Sequence, residues 1–234
     1  MKNRIMNNLK NNKDKVVCVG GGGNAKVLID IILNDTTYSL VGITEVAGDL
    51  FQQKINGVPV IGNDEMLPRL FAEGVKLSFV GVGTVGDTSV RTKIYQKIEA
   101  IGFTPLTIIH PFAMIAPTVE LGKGDSVMAG AIINPYARIG NNVILNTGAL
   151  VEHDCVIDDH VCISPGAILG GEVTVGEQSF IGMGALIKQG VTIGRNVLIG
   201  MGAVVLDDIP DGETVAGNPA RKLEKQAQEI PSNY

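Results

Sequence analysis

The chain has 234 residues, 45% of them hydrophobic, which is enough for one large or two modest domains with a buried core. A formal charge of −5 with scattered Lys and Arg offers no basic face for nucleic acid, and no window reaches the eighteen apolar residues of a membrane span. Thirty glycines, no Trp and 4% aromatic residues mean that something other than large side chains organises the interior.

The opening MKNRIMNNLKNNKDK is basic and Asn-rich and lacks the apolar stretch of a secretion signal, so residues 1–14 are expected to be a disordered arm on a cytoplasmic protein. Cys18, Cys155 and Cys162 are odd in number and lack a CxxC spacing. They read as reduced thiols, not as a disulfide framework or a structural zinc site.

From Lys15, KVVCVGGGGNAKVLIDIIL reads as a strand, a glycine turn and a helix. A second strand is predicted at 39–45, a helix at 63–73, a third strand at 76–83, and a helix carrying Arg91, Ile94, Tyr95 and Ile98 before Gly102. This alternation predicts βαβ units on a parallel sheet, an α/β domain over residues 15–110. Gly20 to Gly23 end a strand and open a helix, where backbone N–H groups can approach a pyrophosphate. Gly20-x-Gly22-x-x-Ala25 with Glu45 even fits a dinucleotide fingerprint, but the domain has about half the length of a full dinucleotide fold, so NAD is discounted.

After His110-Pro111 the period becomes six. Every sixth residue from Ile115 to Val205 is aliphatic, sixteen in succession, and four residues after each comes a smaller or aliphatic one, with Asp125 the polar exception. One large and one small inward residue per hexapeptide fit a narrow prism: each repeat is one face, three make a coil, and residues eighteen apart stack in parallel ladders. Gly122, Gly140, Gly176, Gly194, Asn141 and Asn196 are assigned to the corners that need backbone freedom. The prism is expected over 111–209. Beyond it, in IPDGETVAGNPARKLEK, Pro210 and Pro219 should block further pairing, leaving 210–234 as a cap and tail.

The hexapeptide series closing in AGNPARKLEK resembles the bacterial left-handed β-helix acyltransferases, in which a Gly-Xaa-Pro-Ala-Lys/Arg segment ends the helix near bound CoA. With VGGGGNAKV, VGVGTVGDTSVRTKIYQKIEAIGF, IHPFAMIAPT, NTGALVEHDCVI and ISPGAILGG, residues 15 to 222 are similar to the sugar O- and N-acetyltransferases of that class. Among these are bacillosamine-pathway UDP-4-amino-sugar, perosamine and sialic acid acetyltransferases. The resemblance implies an α/β Rossmann-like domain that holds a nucleotide-sugar, followed by an all-β left-handed parallel β-helix. It also implies a homotrimer with acetyl-CoA between adjacent helices and active sites at subunit interfaces.

His153 is third in the repeat Val151-Glu152-His153-Asp154-Cys155-Val156, a corner position pointing outward. An imidazole of ordinary pKa, about 6.5, can take the proton of an attacking amine, and the resemblance places the family's base on His153. It gives the orienting carboxylate to Asp154, while from the residues alone Glu152 is a rival, because strand neighbours face opposite ways. The resemblance further puts acetyl-CoA at Cys162, Gly171, Met183 and Met201. Cys162 stands where many relatives carry His and is either a weak donor at the thioester or an inert thiol. Met183 and Met201, one coil apart, make an adaptable apolar strip for a pantetheine arm or for trimer packing.

For the nucleotide-sugar the matched positions are Gly22, Gly23 and Asn24, then Thr44 and Glu45, and Gly83. Asn24 departs from a frequent His, and Thr44-Glu45 from a frequent Asp-Asp pair, which leaves the base open between UDP, GDP and dTDP. No metal is expected: the β-helix holds only His153 and His160, seven residues apart, with His110 before it, whereas zinc needs three convergent ligands. The expected reaction is acetyl transfer from acetyl-CoA to the 4-amino group of a nucleotide-linked aminodideoxy sugar. The alternative is O-acetylation of sialic acid or another sugar hydroxyl; a binding scaffold or a zinc hydratase comes third.

Overall fold

The computed structural model describes residues 13–46 and 53–223. Most of the expected N-terminal arm and the end of the C-terminal tail lie outside them, but Asp14 already belongs to the first strand. In chain order the first domain comprises β1 (Asp14–Val19), α1 (Gly23–Asn34), β2 (Tyr38–Thr44), β3 (Lys54–Ile55), β4 (Val58–Gly62), α2 (Leu67–Ala72), β5 (Leu77–Val80), α3 (Ser89–Ile101) and β6 (Thr104–Pro105). The sheet runs β3-β4-β2-β1-β5-β6, parallel apart from the edge strand β3. β1 is its centre and faces both ways. Val16 and Cys18 pack under Leu28, Ile29 and Ile32 of α1, while Val17 and Val19 pack against α2 and against Tyr95 and Ile98 of α3. A strand covered on both faces reads as a continuous apolar run, which is why VVCV was legible.

The sequence reading missed the hairpin β3–β4. Its signal was the dipeptide Asn56-Gly57, which takes φ of 50° and 83° as a tight primed turn requires, but β3 is too short to show alternation and Pro59 interrupts β4. The helix expected at 63–73 is also split. Asn63 caps a single 3₁₀ turn by accepting the Glu65 N–H at 3.0 Å, and α2 proper starts at Leu67 with Pro68 in its first turn.

The hexapeptides build a parallel β-helix of two-residue strands on three sheets, with each strand paired to the one eighteen residues on, as Ile132↔Leu150, Arg138↔Val156 and Ile144↔Cys162 are. Its core is the expected double series, Val127, Ile133, Leu145 and their successors alternating with Ala131, Ala137, Val143 and theirs, almost all buried. The series starts one repeat earlier than expected: Ile108–Ile109 already pairs with Ser126–Val127. Ile108 belongs to both parts, since it also packs in the core of the α/β domain. At the far end the last coil is two residues short, pairing Ile193 with Ile209 and Ile199 with Val215. That slip ended the period of six in the sequence although pairing continues past Pro210. Arg221–Lys222 then runs antiparallel to Thr214–Ala216 and covers the edge.

The corners correct a second expectation. One residue in six, from Gly124 to Gly202, is left-handed with φ between 53° and 73°; the set includes Asn196, but not Gly122, Gly140, Gly176, Gly194 or Asn141. Those four glycines answer to close approach between coils. A Cβ on Gly140, for example, would lie 2.5 Å from Asp159 Oδ1 and 2.7 Å from its backbone nitrogen.

The α/β domain covers one of the three sheets. Ser126, Ile144 and Cys162 point outward from it and are buried. Arg91 of α3 is the main polar tie: its guanidinium donates to the carbonyls of Val80 (2.8 Å) and Val82 (2.9 Å) and reaches Gly124 O and Ser126 Oγ at 3.4 Å. The Thr88 hydroxyl donates to Gln178 O at 3.1 Å, and Tyr95 meets His160 edge-on at 5.5 Å. Of the two remaining faces, one carries Arg138, Val156, Thr174 and Thr192; the other is an apolar ladder of Met114, Ile132, Leu150, Ile168, Leu186 and Val204. None of the described helices is long and apolar enough to cross a membrane.

Asp125, with Ser179 one of two polar residues in the core series and the only one of the two that can carry a charge, accepts the Val143 N–H at 2.9 Å, and burial pushes its carboxyl up to about 8. A carboxyl whose pKa rises on folding keeps its proton in the native state while the unfolded chain loses it near pH 4, so its contribution to stability is lost as pH rises toward 8. Asp125→Asn keeps an acceptor for Val143 and cannot ionise. Its advantage over the wild type in urea midpoint should be much larger at pH 9 than at pH 5; the same difference at both would mean that Asp125 does not titrate in this range.

Candidate active site

His153 and Asp154 sit on the corner between the sheets of Leu150–Val151 and Val156–Ile157. Asp154 is left-handed, φ 59°, and this turn brings its carboxylate onto the neighbouring ring, with Oδ2 2.8 Å from His153 Nδ1. On a flat strand the two side chains would point to opposite faces; the corner removes that objection. Glu152, the rival, instead accepts the backbone N–H of His153 at 3.4 Å. A carboxylate can only accept, so in the neutral imidazole Nδ1 carries the hydrogen and Nε2 offers a lone pair. The hydrogen bond donated to Asp154, with the nearby charges of Asp154, Glu152 and Glu172, raises the pKa of His153 above the ordinary imidazole value.

Gly171 stacks on His153 one coil later, and a Cβ there would lie 2.7 Å from both Cε1 and Nε2 of the ring. The absence of a side chain at 171 lets the imidazole lie flat over the next coil. Gly171, a position the resemblance gave to acetyl-CoA, is thus also the floor of the histidine.

The other expected residues fall elsewhere. Gly23, Asn24 and Gly83 line a pocket of about 450 Å³ between the α/β domain and the covered sheet, with Thr84, Val85, Met128, Ile144, Asn146 and Cys162. Nothing occupies the space beside Gly22 and Gly23, whose backbone opens α1, and Asn24 Nδ2 is buried without a partner. Burial pushes the Cys162 thiol up to about 12, so it stays protonated and is not a nucleophile. Thr44 and Glu45 border a separate cavity of about 220 Å³ on the other side of the glycine turn. There Thr44 donates to Asp64 at 2.8 Å, and Glu45 accepts the Gly21 N–H at 2.6 Å and so fixes the turn. Lys26 and Lys54, with Gln53 and Asn56, flank Gly21–Gly23 from a third side and were not singled out from the sequence; only the fold brings β3 beside the turn.

Met183 and Met201 are 52% and 75% exposed and stack on one ladder, where the Gly202 N–H donates to Met183 O at 2.8 Å. Their corner joins the covered sheet to the apolar-faced one, whereas the corner of His153 lies opposite the covered sheet. Within one chain, therefore, His153 meets neither the inter-domain pocket nor the methionines. His160 is held by Asn142 at 3.0 Å and His110 by the Phe112 N–H at 3.1 Å, and no three His, Cys, Asp or Glu side chains among the described residues converge as metal ligands would.

Two family descriptions match the chain: "PglD N-terminal domain" over residues 15–98, and "Bacterial transferase hexapeptide (six repeats)" over 136–171 and 172–207. Fold and site thus define a hexapeptide-repeat acyltransferase. Among solved structures, PerB from Caulobacter crescentus, in complex with CoA and GDP-perosamine, is 40% identical over 90% of this chain and 97% of that one, with a TM-score of 0.83. The acetyltransferase domain of PglB from Neisseria gonorrhoeae FA1090, in complex with acetyl coenzyme A, is 40% identical over 91% of this chain and 100% of that one, TM-score 0.82. WeeI from Acinetobacter baumannii AYE is 26% identical over 89% and 100%, TM-score 0.73. At 40% identity along nearly the whole of both chains, this protein belongs to the PglD-type sugar acetyltransferases of the left-handed β-helix class.

Proposed function

We propose that the protein transfers acetyl from acetyl-CoA to the 4-amino group of a nucleotide-linked aminodideoxy sugar, with His153 as general base. The observation that carries this reading is the His153–Asp154 pair at 2.8 Å, with Nε2 free above Gly171. The amine nitrogen attacks the thioester carbonyl carbon and loses its proton to Nε2; the C–N bond forms, the C–S bond breaks, and the proton passes to the departing CoA thiolate. Asp154 holds the ring in the tautomer that leaves Nε2 basic and stabilises the imidazolium as it forms. Relatives that act on or bind an amino sugar and CoA support amine over hydroxyl as the acceptor.

The nucleotide-sugar would lie along Gly22, Gly23, Asn24 and Gly83, with Thr44 and Glu45 beyond the turn, and CoA would run along Met183 and Met201 toward Cys162 and Gly171. Because His153 faces away from its own chain's pocket, the working site would combine the pocket of one copy with the corner of another. The unpartnered ladder from Met114 to Val204 would give the surface on which copies meet, and the likeness to the left-handed β-helix acyltransferases supports a homotrimer with three sites.

The test is thiol release on mixing the protein with acetyl-CoA and, in turn, UDP-, GDP- and dTDP-linked 4-amino-4,6-dideoxy sugars, with the 4-hydroxy counterparts alongside. Release with a hydroxyl sugar alone would replace the N-acetyl reading by O-acetyl transfer. A pH profile tests Asp154. The base works only when neutral, so activity should rise with pH through the raised pKa of His153. Asp154→Asn removes the main cause of that rise. The acid limb of kcat/KM should then move to lower pH while the plateau falls; an unmoved limb would detach Asp154 from the titrating base.

A further inference from the structure

We propose that Tyr136 forms the wall of the acceptor site on the N-terminal side of His153 and sets the affinity for the sugar; this rests on the acetyl-transfer reading above. Seven of the fourteen left-handed corners between Gly124 and Gly202 are Gly, and two are Asn, which tolerates that conformation. Asp154 and His160 hold such a corner with side chains that are hydrogen-bonded, to His153 and Asn142 respectively. Glu172 and Gln178 are unbranched at Cβ. Tyr136, φ 65°, is the one aromatic residue in the set. A bulky side chain in this region is strained, and no side-chain hydrogen bond among the described residues offsets the strain. The residue is 64% exposed, its hydroxyl takes no hydrogen bond among the described residues, and only its backbone N–H is engaged, by Thr118 Oγ1 at 3.1 Å.

Its place is specific. Tyr136 stands in the same corner column as Asp154, one coil earlier, and the Asp154 N–H donates to Pro135 O at 3.1 Å, which binds the two corners together. Adjacent coils are about 4.8 Å apart, less than the length of a phenol side chain, so Tyr136 is long enough to reach across one coil toward the His153–Asp154 pair. On the opposite side of His153 stands Gly171, and farther toward the C-terminal end stand Met183 and Met201. The thioester therefore approaches from the C-terminal side, and the side of Tyr136 is left to the acceptor. A tyrosine suits a pyranose: its ring covers the C–H face, and its hydroxyl can bond a sugar hydroxyl.

The experiment compares wild type, Tyr136→Gly and Tyr136→Phe with whichever amino sugar the wild type acetylates, varying sugar and acetyl-CoA separately. Tyr136→Gly should raise the KM for the sugar about ten-fold or more, the loss of one good contact, and leave the KM for acetyl-CoA within about two-fold. It should also melt at a higher temperature than wild type, since glycine relieves the corner. Tyr136→Phe should retain most of the sugar affinity if the ring carries it. A sugar KM within about two-fold of wild type in both variants overturns the proposal. So does a parallel rise in both KM values with loss of the oligomer in sedimentation, which would make Tyr136 a packing residue. A wild type that acetylates none of the amino sugars removes the reading underneath, and that failure is visible before any variant is compared.

Discussion

Replacing His153 by Ala is expected to lower kcat by about 10²–10⁴-fold, the usual contribution of a positioned general base. The ring is exposed and makes no core contact; the hydrogen bonds of the residue run to Asp154 and, through the backbone, to Glu152 and Glu172. The variant should therefore fold and melt as the wild type does. It should also still bind CoA, because the methionine strip and the pocket of Asn24 and Cys162 lie on other parts of the prism. Steady-state kinetics and a thermal melt on the same preparation check both halves. Activity within ten-fold of wild type, roughly the 1.4 kcal/mol that a stray hydrogen bond could supply, would move the base elsewhere.

Gly171→Ala is expected to cost about 10²-fold in kcat through a single methyl group. Its Cβ would stand 2.7 Å from Cε1 and Nε2 of His153, well inside contact distance, so the imidazole must swing away and lose either its alignment or its bond to Asp154. Misplacement of a catalytic group by about 1 Å is worth that much. The backbone at 171 is not left-handed, so alanine adds no strain of its own. Gly190→Ala is the contrast. Gly190 has open space around it but φ of 73°, so alanine there should lower stability by about 1–2 kcal/mol and leave activity unchanged. If Gly171→Ala retained full activity, the imidazole would not need its place above that glycine.

The α/β domain was legible where each segment satisfies its own rule. VVCV is apolar on both faces, and α1 and α3 present a buried stripe at helical spacing. β3 was missed because two residues are too few to carry a period, and β4 because Pro59 interrupts its apolar run; their meaning lies in the turn between them. The β-helix was legible because each six-residue unit repeats one local problem, a large and a small inward residue, sixteen times. Its ends were misjudged by one repeat at the start and by a shortened coil at the finish, since the first and last rungs are defined by what they pair with.

The sequence by itself determined the two-domain order, the prism and its core residues, and, through the resemblance, a histidine beside an acid, because all of these are encoded in neighbours or in fixed spacings. Only the tertiary structure decided that Asp154 and not Glu152 meets the ring, since that depends on the left-handed backbone of one corner. It alone also showed that Gly171 is the floor of the histidine and that Cys162 shares a pocket with Asn24 and Gly83. It set the corner of His153 opposite that pocket. These relations join residues 18 or more than 60 positions apart on different faces of a prism, and a one-dimensional pattern records the period of the faces but not which face a second domain covers.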